Sequence, residues 1–342
     1  MTRFARRFLA VAATAALLVT AGCSGEAGPD NSEDPDDVTL DEITYLTGFG
    51  AFGREAFAWV ALDKGYFEEE GIAATIEPGQ GAGDNVALVT SGQADFAQAD
   101  FTGALILWGQ EASQDFTVVG AVHQRTLTGI ISLEENGISS PADLENATIG
   151  DLVPGSVNYL LFPTYANLAG IDASTITWEN APPQDLPGLL AAGTVDAVGQ
   201  FMVGQPLIEA AAQRPATTLP FSDYITDLYG GVLITSKRLA DEDPDLVQRF
   251  TRALLRGLQY SIENPEETGE ILVRYREEQR AEVAAAETEL LAAYVRPLAP
   301  GDAFGSLDEQ RVAQSIAVLE GAGAIPAGII PADLVRFDLA PR

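Results

Sequence analysis

Apolar and polar positions along this chain follow two rhythms. From Glu42 to Val122, short apolar runs alternate with segments whose apolar residues return every three or four positions. The runs Glu42–Thr47, Ile72–Ile76, Ala94–Gln98 and Phe116–Val122 read as strands. Arg54–Phe67, Asp84–Ser91 and Thr102–Trp108 read as helices, with Gly71 and Gly92 as stops. A second set begins at Gly129–Leu133 and continues with a short helix at Pro141 and strand Thr148–Asp151. Helix Asn158–Leu168, strand Thr175–Glu179, helix Asp185–Ala192, strand Ala197–Phe201 and helix Gln205–Gln213 complete it. Beyond strand Gly231–Thr235 the rhythm turns helical: Pro244–Ile262, Pro265–Arg280, Ala281–Tyr294 and Leu307–Gly321, then a turn around Pro331–Phe337. Strand–helix alternation predicts an α/β fold of mostly parallel sheets covered by helices on both faces. A chain of 342 residues predicts two domains.

The first 38 residues do not follow either rhythm. Arg3, Arg6 and Arg7 precede the apolar run Phe8–Val19, and Thr20-Ala21-Gly22 closes it with small residues. That is the layout of a secretory signal, predicted to be removed as residues 1–22; the apolar run is short for a permanent span. Cys23, the single cysteine, resembles the acylated cysteine of a bacterial lipobox, although Thr20 stands where Leu is commonest. Residues 23–38 then read as a disordered acidic tether. The predicted address is extracytoplasmic, lipid-anchored to the outer face of the bacterial cell membrane.

Charge narrows the classes of partner. The chain carries 19 basic and 50 acidic residues. Without the three leader arginines that is 16 against 50, a net −34, which repels nucleic acid and anionic lipid. With no second cysteine there is no disulfide, and one His with no free Cys argues against structural zinc. No G-x-S-x-G elbow, H-E-x-x-H pair or P-loop occurs, so no catalytic residue is assigned and no cofactor is predicted. No heptad seam or long apolar edge calls for a partner copy, which predicts a monomer.

Several segments together resemble a known family. Ala61-Leu-Asp-Lys-Gly-Tyr-Phe67 with Gly71 is similar to the A-x-x-K-G-Y/F-F-x-x-x-G segment of extracytoplasmic solute-binding proteins. Leu88–Phe96 resembles the L-x-x-G-x-x-D element with one more residue before the glycine, Leu190–Ala197 carries it, and Ser140–Gly150 resembles S-P-x-D-L-x-G-K-x-I-G followed by the loop Pro154-Gly-Ser156. Ser236-Lys-Arg-Leu with Pro244–Phe250 matches the return segment. The similarity runs from Glu42 to Tyr260 and points to the branch serving nitrate, sulfonates, taurine and thiamine pyrimidine precursors. It implies a two-lobed periplasmic-binding-protein type 2 fold, each lobe a mostly parallel sheet flanked by helices, joined by two crossover strands near Arg125–Gly129 and Thr226–Gly231. One lobe is then 39–126 plus 230–342, the other 127–229. The implied role is capture of a small solute for an ABC permease driven by a cytoplasmic ATPase.

Ligands of open α/β sheets bind beyond the carboxyl ends of the strands, and that rule selects the candidate contacts. Gly48-Phe-Gly-Ala-Phe-Gly53 formally reads G-x-G-x-x-G, but the organisation of the elements after it does not suit a dehydrogenase. It reads instead as a strand-to-helix loop, with Phe49 and Phe52 as walls for a planar solute and Arg54 as an anion partner. Gln80 sits in a glycine-rich loop before Asp84, a predicted N-cap. Asp100 is either a cap or an acid for an amino group, and Phe101 adds another wall. His123 and Arg125 lie by the first crossover. Ser156 and Asn158 open a helix, Phe201 and Gln205 follow a strand, and Tyr229 sits at the second crossover. The surplus of aromatic over basic candidates favours an aromatic or heterocyclic solute, with a sulfonate such as taurine, or nitrate, as the alternative.

Overall fold

The computed structural model describes residues 40–342 except 112, 152–155, 183 and 226–227. The predicted leader, Cys23 and tether lie outside the described residues, as does most of the loop before Ser156. The strands are β1 (Asp41–Leu46), β2 (Phe49–Gly50), β3 (Ile72–Glu77), β4 (Gly79–Gln80), β5 (Phe96–Asp100) and β6 (Phe116–Ala121). They continue as β7 (Thr128–Leu133), β8 (Thr148–Asp151), β9 (Thr177–Asn180), β10 (Ala197–Phe201), β11 (Ala216–Pro220) and β12 (Gly231–Ser236).

Two five-stranded sheets result, ordered β3-β1-β5-β12-β6 and β9-β8-β10-β7-β11. In the first, β1 runs parallel to β3 and β5, while β12 is antiparallel to β5 and β6. In the second, β8 runs parallel to β9 and β10, while β7 is antiparallel to β10 and β11. Each sheet therefore places one antiparallel strand fourth, and in each case that strand follows directly on a connection from the other sheet. The fold is the two-lobed periplasmic-binding-protein architecture.

The connections run through residues 122–127 and 228–230, and they hold each other. Thr126 N donates to Leu228 O at 3.0 Å, and Gly230 N to His123 O at 3.2 Å. Gly230 is glycine for lack of room: a Cβ there would stand 2.4 Å from Arg125 O. The first connection ends before β7 begins at Thr128, one residue earlier than the strand read from the hydrophobic pattern.

Burial explains the elements. Strands β5, β6 and β7 are buried along their whole length, as expected of strands covered on both faces. Helix Pro244–Glu263 brings Phe250 onto the first sheet, stacked on Phe96 at 4.1 Å and Phe67 at 5.2 Å between ring centroids. Among the described residues no helix is long and apolar enough to cross a membrane.

Four departures from the sequence pattern have local causes. The expected helix Arg54–Phe67 is a 3-10 turn Gly53–Glu55, a helix Phe57–Asp63 and a helix Tyr66–Glu69. Gly65, at φ 73°, breaks it in the left-handed region. The helix expected to reach Arg280 stops at Tyr275. Strand β11 was unforeseen because Ala-Thr-Thr-Leu-Pro lacks strand alternation; it exists by pairing along β7. The β2–β4 pair, two residues per strand, is below what periodicity can detect.

Candidate functional site

Where the carboxyl ends of the parallel strands of both sheets meet, they line an open cavity of about 240 Å³. From the first-sheet side come Gly48 and Phe49 after β1, Gln80 after β3, Gln98 and Asp100 on β5, His123 after β6 and Gly231 opening β12. From the second come Leu127 before β7, Ser156, Val157 and Asn158 after β8, Leu186, and Gly199, Gln200 and Phe201 on β10. The volume suits a single small ring system rather than a peptide or dinucleotide.

Asp100 serves two structures at once. It caps helix Phe101–Gly109, its Oδ1 accepting from Thr102 N at 2.9 Å and Gly103 N at 3.3 Å. Its other oxygen makes no hydrogen bond among the described residues. Burial raises the carboxyl from its ordinary value to about 7, against the pull of those backbone donors.

His123 has its tautomer set by the backbone. Gly231 N donates to Nδ1 at 3.0 Å, so the ring proton resides on Nε2, which is buried without a hydrogen-bond partner among the described residues. Burial, then the nearby charge of Arg54, lowers its pKa to about 3, so it is neutral at any ordinary pH. Gly231 must be glycine here, since a Cβ would lie 2.6 Å from Gln98 Nε2 and 2.8 Å from His123 Nδ1.

On the second-sheet side the acceptor atoms are already engaged. Gln200 Oε1 accepts from Phe201 N at 2.8 Å, and Asn158 Oδ1 from Gly129 N at 3.2 Å. These bonds fix which end of each amide is which, and both amide nitrogens make no hydrogen bond among the described residues. Ser156 caps helix Val157–Ala169 through Tyr159 N at 3.1 Å, and its hydroxyl donates to Asp151 Oδ1 at 2.8 Å. A Cβ at Gly199 would lie 2.4 Å from Asp151 Oδ2.

Of the residues selected from the sequence, Phe49, Gln80, Asp100, His123, Ser156, Asn158 and Phe201 line the cavity. Phe52, Arg54, Phe101, Arg125, Gln205 and Tyr229 do not. Phe52 stacks behind Phe49 at 6.5 Å, and Phe101 packs edge-on against Tyr229 at 5.7 Å. Tyr229 is wholly buried, its hydroxyl accepting from Asp308 N at 2.9 Å. Gln205 is spent on Glu209 and the carbonyl of Ala216. Arg125 is exposed.

Arg54 is the largest correction. It is fully buried behind the wall, 3.9 Å from carboxylate oxygens of both Glu55 and Glu287. Its guanidinium lies 4.5 Å from the Phe52 ring and 5.4 Å from that of Phe201. Burial raises Glu55 to about 7 against the pull of Arg54, and raises Glu287 as well. The guanidinium nitrogens make no hydrogen bond among the described residues; their nearest charges are these two acids, and the group does not line the cavity. Two cap assignments also move: Gly81, not Asp84, precedes helix Ala82–Thr90, and Ser156, not Asn158, caps the helix it opens.

Residues that the pattern did not single out include Gln98, Gln200, Gly199, Leu127 and Leu186. A usable signal existed for two of them. Gln98 and Gln200 are polar residues near the carboxyl ends of strands otherwise built of apolar and small residues, where a polar side chain needs a reason. Among the described residues no group of three or more His, Cys, Asp or Glu could hold a metal ion.

Comparison with known proteins gives a consistent picture. The family model described as NMT1/THI5 like matches residues 55–268. The formylaminopyrimidine-binding protein of Halalkalibacterium halodurans is 24% identical over 92% of this chain and 94% of its own length. The riboflavin-binding protein RibY of Chloroflexus aurantiacus is 23% identical over 78% and 75%. A Schizosaccharomyces pombe protein named 4-amino-5-hydroxymethyl-2-methylpyrimidine phosphate synthase is 22% identical over 75% and 76%. Among solved structures, the alkanesulfonate-binding protein SsuA of Xanthomonas axonopodis pv. citri, bound to MOPS, superposes with a TM-score of 0.68. It is 19% identical, and the match covers 87% of this chain and 98% of that one.

Proposed function

The chain belongs to the NMT1/THI5-like family, and from that premise we propose that it is the solute-binding lipoprotein of an ABC importer. It captures a small organic solute between two lobes, 39–126 with 230–342 and 127–229, and delivers it to a permease coupled to a cytoplasmic ATPase. Cys23 carries the lipid that holds it at the outer face of the bacterial membrane, and it works as a monomer. The observation that carries this reading is the open cleft of about 240 Å³ built from the strand ends of two equivalently wired sheets. The paired connections 122–127 and 228–230 are where such a molecule bends to open.

The solute is a heterocycle, with a pyrimidine precursor of thiamine as the leading example. Phe49 and Phe201 supply flat walls, and among the described residues no Lys or Arg lines the cavity. Arg54 is committed to two acids and Arg125 lies outside, which removes the charged partners an oxyanion would use. A sulfonate or nitrate remains the second reading, favoured by one feature: helix Val157–Ala169 begins at the cavity, and helix N-termini hold anions.

Mass spectrometry of the molecule that co-purifies with the protein, followed by calorimetric titration of both solute classes, tests this. A bound heterocycle is the expected result. Tight binding of a sulfonate would reverse the order of the two readings, and chemical turnover of the bound molecule would replace transport with an enzyme.

A further inference from the structure

The free acceptor and two free amide donors sit on different sides of the cavity, with the Nε2–H of His123 a further donor beside the acceptor. On the first-sheet side Asp100 has one oxygen pinned by Thr102 N and Gly103 N and a second oxygen with no hydrogen bond among the described residues. On the other side, Asn158 and Gln200 have their oxygens pinned by Gly129 N and Phe201 N. Only their N–H groups are left, because a primary amide has one acceptor end and one donor end. All three residues are at least nine-tenths buried and all three line the cavity. The three free atoms reach the open cavity, so an occupant that displaces water from them must supply their partners or leave them stranded.

We propose that the solute carries an N–H donor group seated on the free oxygen of Asp100 and an acceptor atom held by the amide nitrogens of Asn158 and Gln200. An amino-substituted heterocycle offers both, the amino group to Asp100 and a ring nitrogen or carbonyl oxygen to the amides. A zwitterionic aminosulfonate offers the same two ends, whereas nitrate and simple alkanesulfonates lack the donor. The pattern depends on capture of a solute in this cavity, the function proposed above, and adds which polar end faces which lobe.

The test uses the full chain at about pH 8.5, where the Asp100 carboxyl is ionised and its free oxygen accepts, and two isosteric pairs that differ only in the donor: 4-aminopyrimidine with 4-methylpyrimidine, and taurine with propane-1-sulfonate. In whichever pair binds, the amino member should bind at least about 30-fold tighter, since its partner strands a buried acceptor. Asp100→Asn, which keeps a good helix cap, should collapse that preference to a few-fold without lowering the melting temperature. Gln200→Met should weaken both members of the pair equally, by about 10-fold, leaving the ratio intact. A methyl member that binds within threefold of its amino partner overturns the proposal, as does a preference that survives Asp100→Asn. A co-purified solute without any N–H group overturns it too, while leaving solute capture standing. Binding by neither pair, with no small molecule co-purifying, removes solute capture itself and the proposal with it.

Discussion

The two sheets have the same wiring and different contents. Read from the β3 edge and from the β9 edge, both run second, first, third, inserted antiparallel strand, fourth. Yet the first receives the C-terminal helices and a stack of aromatic rings around Phe250, whereas the second packs two separate groups, a ring cluster of Phe162, Tyr165, Trp178 and Phe221 and a small aliphatic cluster that includes Ile131, Leu186, Val198 and Ile208. Their cavity edges differ as well: Asp84, Asp100 and the neutral His123 on one side, the free amides of Asn158 and Gln200 on the other. Topology decides where strand ends converge; the few residues at those ends decide what they can hold.

The largest expected effect asks whether this unequal packing makes two stability units or one. Phe250→Ala removes a ring stacked on Phe96 and Phe67, and a buried Phe→Ala costs about 3–5 kcal/mol. Apolar clusters run across both sheets, joining Phe101 and Val118 to Ile130 and Phe221, and Val203 to Leu233. A single denaturant transition that shifts as a whole is therefore expected. Two separated transitions in circular dichroism would show that the lobes melt independently and that the shared clusters contribute little.

A smaller effect compares the two close-approach glycines. Gly231→Ala pushes on Gln98 and His123 together, and it strains the bond from Gly231 N that sets the His123 tautomer. Gly199→Ala pushes on Asp151, which steadies the Ser156 hydroxyl. Displacing binding groups by an ångström costs on the order of 100-fold, so Gly231→Ala should lose about that much solute affinity. Gly199→Ala, acting through one intermediary, should lose about 10-fold by the same reasoning. Equal losses in titration calorimetry would mean that the sides contribute alike.

The sequence reveals the scaffold better than the site, for a physical reason. Strands such as Ala197–Phe201 are legible because burial on both faces imposes an apolar run, which is a local property. Strand β11 and the β2–β4 pair exist only through partners distant in sequence, and nothing local marks them. The rule that ligands sit at strand ends picks out Asp100, His123, Asn158 and Phe201, all of which reach the cavity wall. It failed for Arg54, because a basic residue at a loop looks the same whether it faces a solute or two buried acids. Glu55 was visible as a neighbour, but Glu287 arrives from a helix more than 200 residues away. Tyr229 failed likewise, its hydroxyl claimed by Asp308.

The smallest effect turns on titration, which the carboxylate side has and the amide side lacks. Asp100 is raised to about 7 in the folded chain by burial, above the ordinary carboxylate value near 4. The folded state therefore holds that proton more tightly than the unfolded one. Its contribution to stability is complete below about pH 4, declines as pH rises towards 7 and is flat beyond. Glu55 acts in the same direction, and His123, lowered to about 3, acts in the opposite one between about pH 3 and 6.5. Asp100→Asn leaves those two in place and removes only the Asp100 titration. The solute-free variant should melt a few degrees above the unaltered protein at pH 8 and level with it near pH 4. Calorimetric scans across that range check the trend. A gap that is constant with pH would mean that Asp100 keeps an ordinary carboxylate pKa, and that burial leaves no mark on the carboxylate side.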